Sequence, residues 1–230
     1  MFDGRFRAPI DKAVRPIGTL LRRTGLSPDH LTILGVLVAV GAAVAIGYGH
    51  LYLGFVLVIL AAIPDLLDGA LAKASDQSSQ RGAFFDSVID RLTDAIIFAG
   101  VAFYYVSGDS PRLAMVPLGI LAFSLIISYE RAKAESLGLE AKGGLMERAE
   151  RIILLELGLL VHVILLPILW LMLALTAFTA VQRFVKVWKQ AAVTPRTAAK
   201  MEIRRIRRAT RRGVLARRTP TRVPRRRPNP

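Results

Sequence analysis

Four aspartates lie close together in the sequence, in two pairs whose spacing suits joint chemistry. Asp65 and Asp68 are three residues apart, and Asp86 and Asp90 are four apart. Residues at these spacings share one face of a helix, so each pair predicts a face that carries two carboxylates. Oxygen ligands of this kind suit hard cations such as Mg²⁺ or Mn²⁺. If the two helices face each other, the four carboxylates converge on a metal site.

The rest of the chain has the composition of a membrane protein. It has 230 residues, of which 53% are hydrophobic, no cysteine, and a mean hydropathy of +0.44. Apolar runs of the length that crosses a bilayer predict an all-α protein with six transmembrane helices. Four of them cover 31–48, 51–72, 88–107 and 113–130, and the long run 152–188 is divided into two by a turn near 162–167, at Pro167. Carboxylates near such spans are costly, so the aspartate cluster predicts a function.

The distribution of basic residues predicts the orientation of these spans. With six spans, the basic segments 5–23, 73–81 and 131–151 and the C-terminal tail all fall on one side. The loops on the other side contain Asp109, Arg112 and His162. Positive charge is enriched in cytoplasmic loops, which predicts a multi-pass protein of the plasma membrane with both termini and the aspartate cluster in the cytoplasm.

The two ends of the chain differ from the apolar centre. In residues 1–24 the apolar positions fall three or four apart and basic residues lie on the opposite face. This pattern predicts an amphipathic helix lying in the membrane interface. The centre, 25–190, is then a domain of six helices. From 190 to 230 there are 14 Lys and Arg residues and one acid, a net charge of +13 out of the chain's +15. This composition predicts a disordered tail, 191–230, that contacts anionic membrane lipids rather than nucleic acid.

The aspartates belong to a longer pattern, Asp65-x-x-Asp68-Gly69-x-x-Ala72-Lys73, then eight residues, then Gly82-x-x-x-Asp86-x-x-x-Asp90. It resembles the signature of the CDP-alcohol phosphotransferase family at every position except Lys73, where the family has arginine. The resemblance implies a two-metal site, with Mg²⁺ or alternatively Mn²⁺, in which CMP leaves a CDP-linked lipid. It implies metal binding by Asp65, Asp68, Asp86 and Asp90, with Asp86 bridging both ions. Asp90 is also the expected general base, which suits an acceptor hydroxyl that is a poor nucleophile near neutral pH.

The same resemblance assigns contacts to the CDP-lipid. Asp29 and Thr32 lie where the first span begins, after Ser27 and Pro28, which predict a helix cap and first turn. Gly69 and Gly82 lack side chains and let a phosphate approach the backbone closely. The remaining expected contacts are Lys73, whose ammonium lacks the planar fork of arginine, and Ser79.

Further segments resemble the actinobacterial phosphatidylinositol phosphate synthases of this family, over about residues 15 to 188. These segments are 128–135, 143–151 and 182–183. The resemblance implies that four arginines bind the phosphate of inositol phosphate, as guanidinium groups suit phosphate oxygens: Arg131, Arg148, Arg151 and Arg183. It also implies a homodimer. The expected reaction transfers a phosphatidyl group from CDP-diacylglycerol to 1D-myo-inositol 3-phosphate (L-inositol 1-phosphate), with CMP released.

Other functions are open to the same sequence. A related transferase that uses glycerol 3-phosphate also needs a basic pocket, whereas free inositol or serine does not account for the arginines. A cation transporter uses intramembrane carboxylates too. Here, however, the carboxylates gather at one end of the predicted spans and no polar residues continue outward.

Overall fold

The structure, a computed structural model, describes residues 28–74, 80–141 and 143–192, and at Pro28 and over 64–74 it describes the backbone alone. These ranges contain six α-helices and no β-strand, which confirms the all-α prediction. The helices are α1 (Pro28–Gly47), α2 (Leu51–Ala74), α3 (Gln80–Val106), α4 (Met115–Ser136), α5 (Arg148–Leu160) and α6 (Leu165–Ala191). Short 3-10 turns, Pro111–Ala114 and His162–Ile164, precede α4 and α6.

Among the described residues, three stretches of helix are long and apolar enough to cross a membrane, which makes the chain a membrane protein. They are Asp29–Gly47, Pro111–Ser136 and His162–Ala191. In α2, whose side chains are described up to Ile63, the described apolar stretch is the shorter Leu51–Ile63. The 13 residues of α5 rise only about 20 Å, less than the roughly 30 Å of a hydrocarbon core. Six complete spans therefore stay a prediction.

The hairpin between α1 and α2 closes through a glycine in the left-handed region. Gly49 has φ of 85°, a conformation that residues with a Cβ rarely adopt. Its N–H donates to the carbonyl of Ile46 at 2.9 Å, and the N–H of His50 donates to Ala45 at 2.8 Å. These bonds satisfy carbonyls at the end of α1, as helix C-caps commonly do. The chain then reverses into α2 within three residues.

Two ring contacts connect residues at one end of the helices. The Tyr48 and Phe103 rings lie 6.0 Å apart, centroid to centroid. Tyr52 and His162 lie 5.9 Å apart in an edge-to-face arrangement. The end of α1, the start of α2, the end of α3 and the turn between α5 and α6 therefore meet at one end. The N-terminal halves of α3 and α5 lie towards the other end.

The turn between α5 and α6 lies slightly earlier than the sequence predicts. Here α5 ends at Leu160 and α6 begins at Leu165, so Pro167 lies in the first turn of α6. A proline is tolerated there because the first N–H groups of a helix have no partner within it. The proline therefore marks the start of the sixth helix rather than the turn itself. The predicted first turn of α1 is confirmed at Pro28, while Ser27 lies outside the described residues.

The chain divides into two compact units between Lys186 and Val187. Of the second unit, the structure describes only 187–192, the end of α6 and one residue beyond. The predicted interfacial helix, 1–24, and nearly all of the predicted disordered tail, 191–230, lie outside the described residues. The domain boundaries at 25 and 190 accordingly stay predictions.

Helices α1 and α3 approach each other closely in the core. Gly100 of α3 lies directly against the backbone of Ala43 in α1. A Cβ on Gly100 would come within 2.5 Å of the Ala43 carbonyl oxygen and 2.6 Å of its Cα. Around this crossing, Ala39, Ala42 and Val101 are fully buried. Small residues therefore let the two backbones touch, as is common between helices in membranes.

Replacing Gly100 with alanine is expected to destabilise the bundle, since the obstruction is backbone and overpacking of this kind costs about 1–3 kcal/mol. The measurement is the thermal unfolding midpoint of the purified protein in detergent. Gly41→Ala is the matched control, because a Cβ there meets only Leu57 Cδ1 at 3.8 Å. Equal midpoints for both variants and the wild type would show that α1 and α3 do not pack as described.

Candidate active site

One face of α3 carries three carboxylates in succession. Asp86, Asp90 and Asp94 are each four residues apart, so their side chains follow one another along that face. Their burial increases along the helix: Asp86 is exposed, Asp90 is half-buried, and Asp94 is only 8% exposed. The face therefore runs from an accessible carboxylate into the interior of the helical bundle.

The first turn of α5 brings two arginines to this face. Nη1 of Arg148 lies 2.7 Å from Oδ1 of Asp90, and its Nε lies 3.3 Å from Oδ1 of Asp94. Nη2 of Arg151 donates to Oδ2 of Asp94 at 2.9 Å. The result is a continuous chain of ion pairs, Asp90–Arg148–Asp94–Arg151, that joins α3 to α5.

The position of these arginines in α5 gives the ion pairs a clear electrostatic reason. A helix N-terminus carries a partial positive charge, so cations in its first turn are unfavourable unless they are compensated. Glu150, also in that turn, supplies one negative charge, and the two carboxylates of α3 supply the others. The same concentration of donors and positive charge suits a phosphate group.

Arg151 is almost completely withdrawn from solvent, with an exposed fraction of 4%. Besides its bond to Asp94, its Nη1 donates to the carbonyl of Met146 at 3.4 Å. Its Nε is buried and has no hydrogen-bond partner among the described residues. Asp94 is therefore the principal acceptor that satisfies this buried guanidinium group.

Arg183 of α6, also 4% exposed, connects several elements. Its Nη1 donates to the carbonyl of Ile127 in α4 at 3.0 Å, and its Nη2 donates to the carbonyl of Gly143 at 3.1 Å. Nη2 also lies 3.5 Å from Oε1 of Glu147, the residue before α5. Arg183 thus holds the loop before α5 against α4 and α6.

A hydroxyl group reinforces the same loop. The N–H of Met146 donates to Oγ1 of Thr179 at 3.2 Å, and that hydroxyl donates to the carbonyl of Leu175 at 2.8 Å. Gly143 has φ of 92°, in the left-handed region. Thr179 and Arg183 are one turn apart on α6, so one face of that helix fixes the start of α5.

The four arginines predicted to bind the acceptor phosphate occupy different environments. Arg148 and Arg151 lie at the carboxylate face of α3. Arg183 reaches the same segment through Glu147. Arg131 differs, since its Nε donates to Oε1 of Glu135 at 3.0 Å in an exposed pair within α4. The structure therefore brings three of the four to the start of α5.

The predicted metal ligands of α2 lie on a helix, as their spacing indicates. Asp65 and Asp68 are one turn apart near the end of α2, where the backbone alone is described. Among the residues whose side chains are described, no group of three acidic, histidine or cysteine residues is arranged to hold a metal. Asp86 and Asp90 therefore need the carboxylates of α2 to complete the predicted site, and oxygen donors of this type fit a hard divalent cation.

The predicted contacts to the CDP-lipid are spread over the starts of α1 and α3 and the end of α2. Asp29 is half-buried in the first turn of α1, and Thr32 is buried one turn later. Gly82 lies in the first turn of α3, one turn before Asp86. Gly69 and Lys73 lie on the part of α2 whose backbone alone is described, and Ser79 lies outside the described residues.

Sequence reasoning assigned no role to Asp94. A signal was present, because Asp94 continues the four-residue spacing of Asp86 and Asp90 and lies inside the predicted span 88–107. A carboxylate at that depth requires a partner. Its partners, Arg148 and Arg151, are more than fifty residues away in the chain, so the pairing becomes visible only in the fold.

Residues 26–188 match the CDP-alcohol phosphatidyltransferase family. The phosphatidylinositol phosphate synthase of Streptomyces avermitilis is 36% identical over 206 residues, which cover 84% of both chains. That of Cutibacterium acnes is 40% identical over 197 residues, 79% of this chain and 95% of the relative.

Solved structures agree with the sequence relatives. The crystal structure of Mycobacterium tuberculosis phosphatidylinositol phosphate synthase with CDP-DAG bound superposes with a TM-score of 0.72 at 33% identity, covering 77% of this chain and 94% of that one. A second crystal structure of that synthase, in complex with manganese and citrate, has a TM-score of 0.71 at 33% identity, covering 76% and 88%.

Replacing Arg183 with alanine is expected to destabilise the protein by about 2–4 kcal/mol, because it leaves two carbonyls and a carboxylate without their charged donor. Unfolding of the purified variant in detergent, followed by circular dichroism, measures the effect. Lys189→Ala is the control, since Lys189 is an exposed cation near the end of the same helix. An unchanged unfolding midpoint for Arg183→Ala would contradict its role in holding the loop before α5.

Proposed function

Because the chain belongs to the CDP-alcohol phosphatidyltransferase family, we propose that it transfers a phosphatidyl group from CDP-diacylglycerol to 1D-myo-inositol 3-phosphate. The products are phosphatidylinositol phosphate and CMP. The similar phosphatidylinositol phosphate synthases favour inositol phosphate as the acceptor. The observation in the structure that supports a phosphorylated acceptor is the pair Arg148 and Arg151, held against the carboxylates of α3. An acceptor that bears a phosphate needs such a cationic site, whereas an uncharged alcohol does not.

The donor side of the reaction rests on the carboxylates. Asp86 and Asp90 on α3 and Asp65 and Asp68 on α2 would hold two Mg²⁺ ions, or alternatively Mn²⁺, with Asp86 shared between them. Their oxygen donors suit either ion, and a similar synthase has been crystallised with manganese. Divalent ions bound there neutralise the charge of the diphosphate and of the leaving CMP. Of the two α3 carboxylates in this set, Asp86 is the more exposed.

Asp90 acts as the general base in this proposal. It takes the proton of the acceptor hydroxyl, whose oxygen forms a bond to the lipid-side phosphorus of the diphosphate. The bond from that phosphorus to the bridging oxygen breaks, and CMP leaves with the electron pair. Arg148, 2.7 Å from Oδ1 of Asp90, keeps the carboxylate in place, which matters because a general base must lie within hydrogen-bond reach of its proton.

The acceptor's phosphate binds to the arginines at the start of α5. A guanidinium group offers paired N–H donors that match phosphate oxygens. Since Arg148 contacts Asp90 directly, a phosphate bound by Arg148 and Arg151 places the attached alcohol next to the proposed base. Arg183 contributes by holding the loop before α5, and Arg131 contributes as an exposed cation of α4.

The CDP-lipid contacts complete the proposed site. Asp29 and Thr32 bind the nucleotide from the start of α1, with Ser79 as a further contact. Gly69 and Gly82 leave room for the diphosphate beside the carboxylates, as residues without a Cβ do. Lys73 adds a single positive charge on that side.

The proposal also includes six membrane spans, a cytoplasmic active site and a homodimer of the family type. The clustering of basic residues near one end of the helices supports this orientation, as positive charge favours the cytoplasmic side. The turns at the opposite end, 48–50, 107–114 and 161–164, contain Arg112 and Asp109 and no other Lys, Arg, Asp or Glu.

A parallel acceptor assay tests the substrate. Purified protein with CDP-diacylglycerol and Mg²⁺ is given L-inositol 1-phosphate, myo-inositol or glycerol 3-phosphate, and CMP release is measured. We expect inositol phosphate to give a kcat/KM at least about tenfold above the other two, because a site built for a charged group rejects analogues that lack it or misplace it. A preference for glycerol 3-phosphate would instead make the protein a phosphatidylglycerophosphate synthase.

Asp86→Asn is expected to reduce CMP release to less than about a tenth of the wild-type rate, since it removes a charged metal ligand. Mn²⁺ binding, followed by electron paramagnetic resonance, is expected to weaken in parallel. Asp109→Asn is the matched control, because Asp109 is an exposed aspartate in the turn at the far end of α3. Wild-type turnover by a folded Asp86→Asn protein would remove Asp86 from the metal site.

A further inference from the structure

Asp94 is a buried carboxylate for which the proposed reaction has no direct use. It lies one turn beyond Asp90, and each of its oxygens contacts a different arginine. Oδ1 lies 3.3 Å from Nε of Arg148, and Oδ2 lies 2.9 Å from Nη2 of Arg151. One rigid, planar carboxylate therefore sets the spacing between the two guanidinium groups.

Stability alone does not account for this arrangement. Both Asp94 and Arg151 are buried, and removing two charges from water offsets most of the attraction between them. Apolar residues of similar size usually hold two helices together at least as well. A buried ion pair at this position is therefore better explained by what it does to the orientation of the arginines.

The partners of the two arginines define that orientation. Arg148 is held at Nε by Asp94 and at Nη1 by Asp90. Arg151 is held at Nη2 by Asp94 and at Nη1 by the Met146 carbonyl. Asp94 is thus an anchor shared by both side chains. Losing Asp94 removes that shared anchor, so that each guanidinium group gains rotational freedom.

We infer that Asp94 is a positioning residue that holds Arg148 and Arg151 in register to bind the acceptor's phosphate beside Asp90. This inference rests on the proposed function and extends it to a residue outside the aspartate signature. Asp94 touches neither the substrates nor the metals in this account and acts only through the two arginines. Its loss should therefore affect acceptor binding more than donor binding or metal binding.

Steady-state kinetics of Asp94→Asn, with each substrate varied in turn, tests this inference. The amide keeps the shape but loses the charge that orders both guanidinium groups. We expect the KM for inositol phosphate to rise at least about tenfold, as for loss of a hydrogen bond to a charged group, and the KM for CDP-diacylglycerol to stay within about twofold of the wild-type value. Asp94→Glu keeps the charge and should recover part of the loss. Asp109→Asn serves again as the control for exchange of a carboxylate for an amide.

A double-mutant cycle separates positioning from general stabilisation. If Asp94 acts through Arg151, then Asp94→Asn should change the acceptor KM much less in an Arg151→Ala background than in the wild type, because interacting residues are not additive. Full additivity, or an unchanged acceptor KM in a folded Asp94→Asn protein, would overturn the inference. Should Asp94→Asn not survive purification, Asp94→Glu decides: a raised acceptor KM supports positioning, and a wild-type value overturns it.

The wild-type protein in the same assay distinguishes this inference from the proposed function. If the wild type releases no CMP with inositol phosphate, the proposed function has failed whatever the variants do. The Asp94 variants are then measured with the phosphorylated acceptor that the wild type does use, because the argument concerns the phosphate group. If the wild type is active with inositol phosphate and the variants match it, only the role of Asp94 has failed.

Discussion

Two buried arginines place the strongest constraint on this helical bundle. A guanidinium group cannot lose its proton under ordinary conditions, so inside an apolar bundle it must be met by acceptors. Arg151 meets the carboxylate of Asp94, and Arg183 meets the carbonyls of Ile127 and Gly143. These contacts connect α5 to α3 and connect α6 to α4. The ends of four helices are therefore positioned by the need to satisfy two charges.

That constraint also explains why the chemistry gathers at one end of the bundle. The face of α3 that compensates Arg151 is the same face that presents Asp86 and Asp90, since all three aspartates repeat every four residues. Arg148 lies between them and contacts both Asp90 and Asp94. The proposed base and the proposed phosphate pocket thus share a side chain. On this account, the side chains that bind the metals, take the proton and bind the acceptor lie next to one another along one chain of ion pairs.

Much of this arrangement is predictable from local patterns. Apolar runs and Pro28 predict where helices begin, and the spacing of Asp86 and Asp90 predicts a shared face, because both depend on residues within one or two turns. The sequence predicts the turn before α6 slightly too late, because Pro167 suggests a break between helices, whereas proline is also well tolerated in the first turn of a helix.

Which charged residues pair with each other is harder to predict from the sequence, for a physical reason. Arg131, Arg151 and Arg183 look alike in the sequence, as basic residues beside apolar runs. Their environments differ because their partners differ: Arg131 pairs within its own helix, whereas Arg151 and Arg183 bond to groups contributed by other helices. Whether an ion pair is exposed or buried depends on how segments distant in the sequence pack together. For the same reason, the role of Asp94 is not apparent from the sequence.

The central claim is that α3 presents the metal-binding carboxylates and the anchor of the phosphate-binding arginines on one face. The most direct measurement is a crystal structure with Mn²⁺ and inorganic phosphate bound, using anomalous scattering to locate the metal. The account predicts manganese at Asp86 together with carboxylates of α2, and phosphate at Arg148 and Arg151 with the Asp94–Arg151 pair intact. Manganese remote from Asp86, or phosphate bound away from the start of α5, would contradict it.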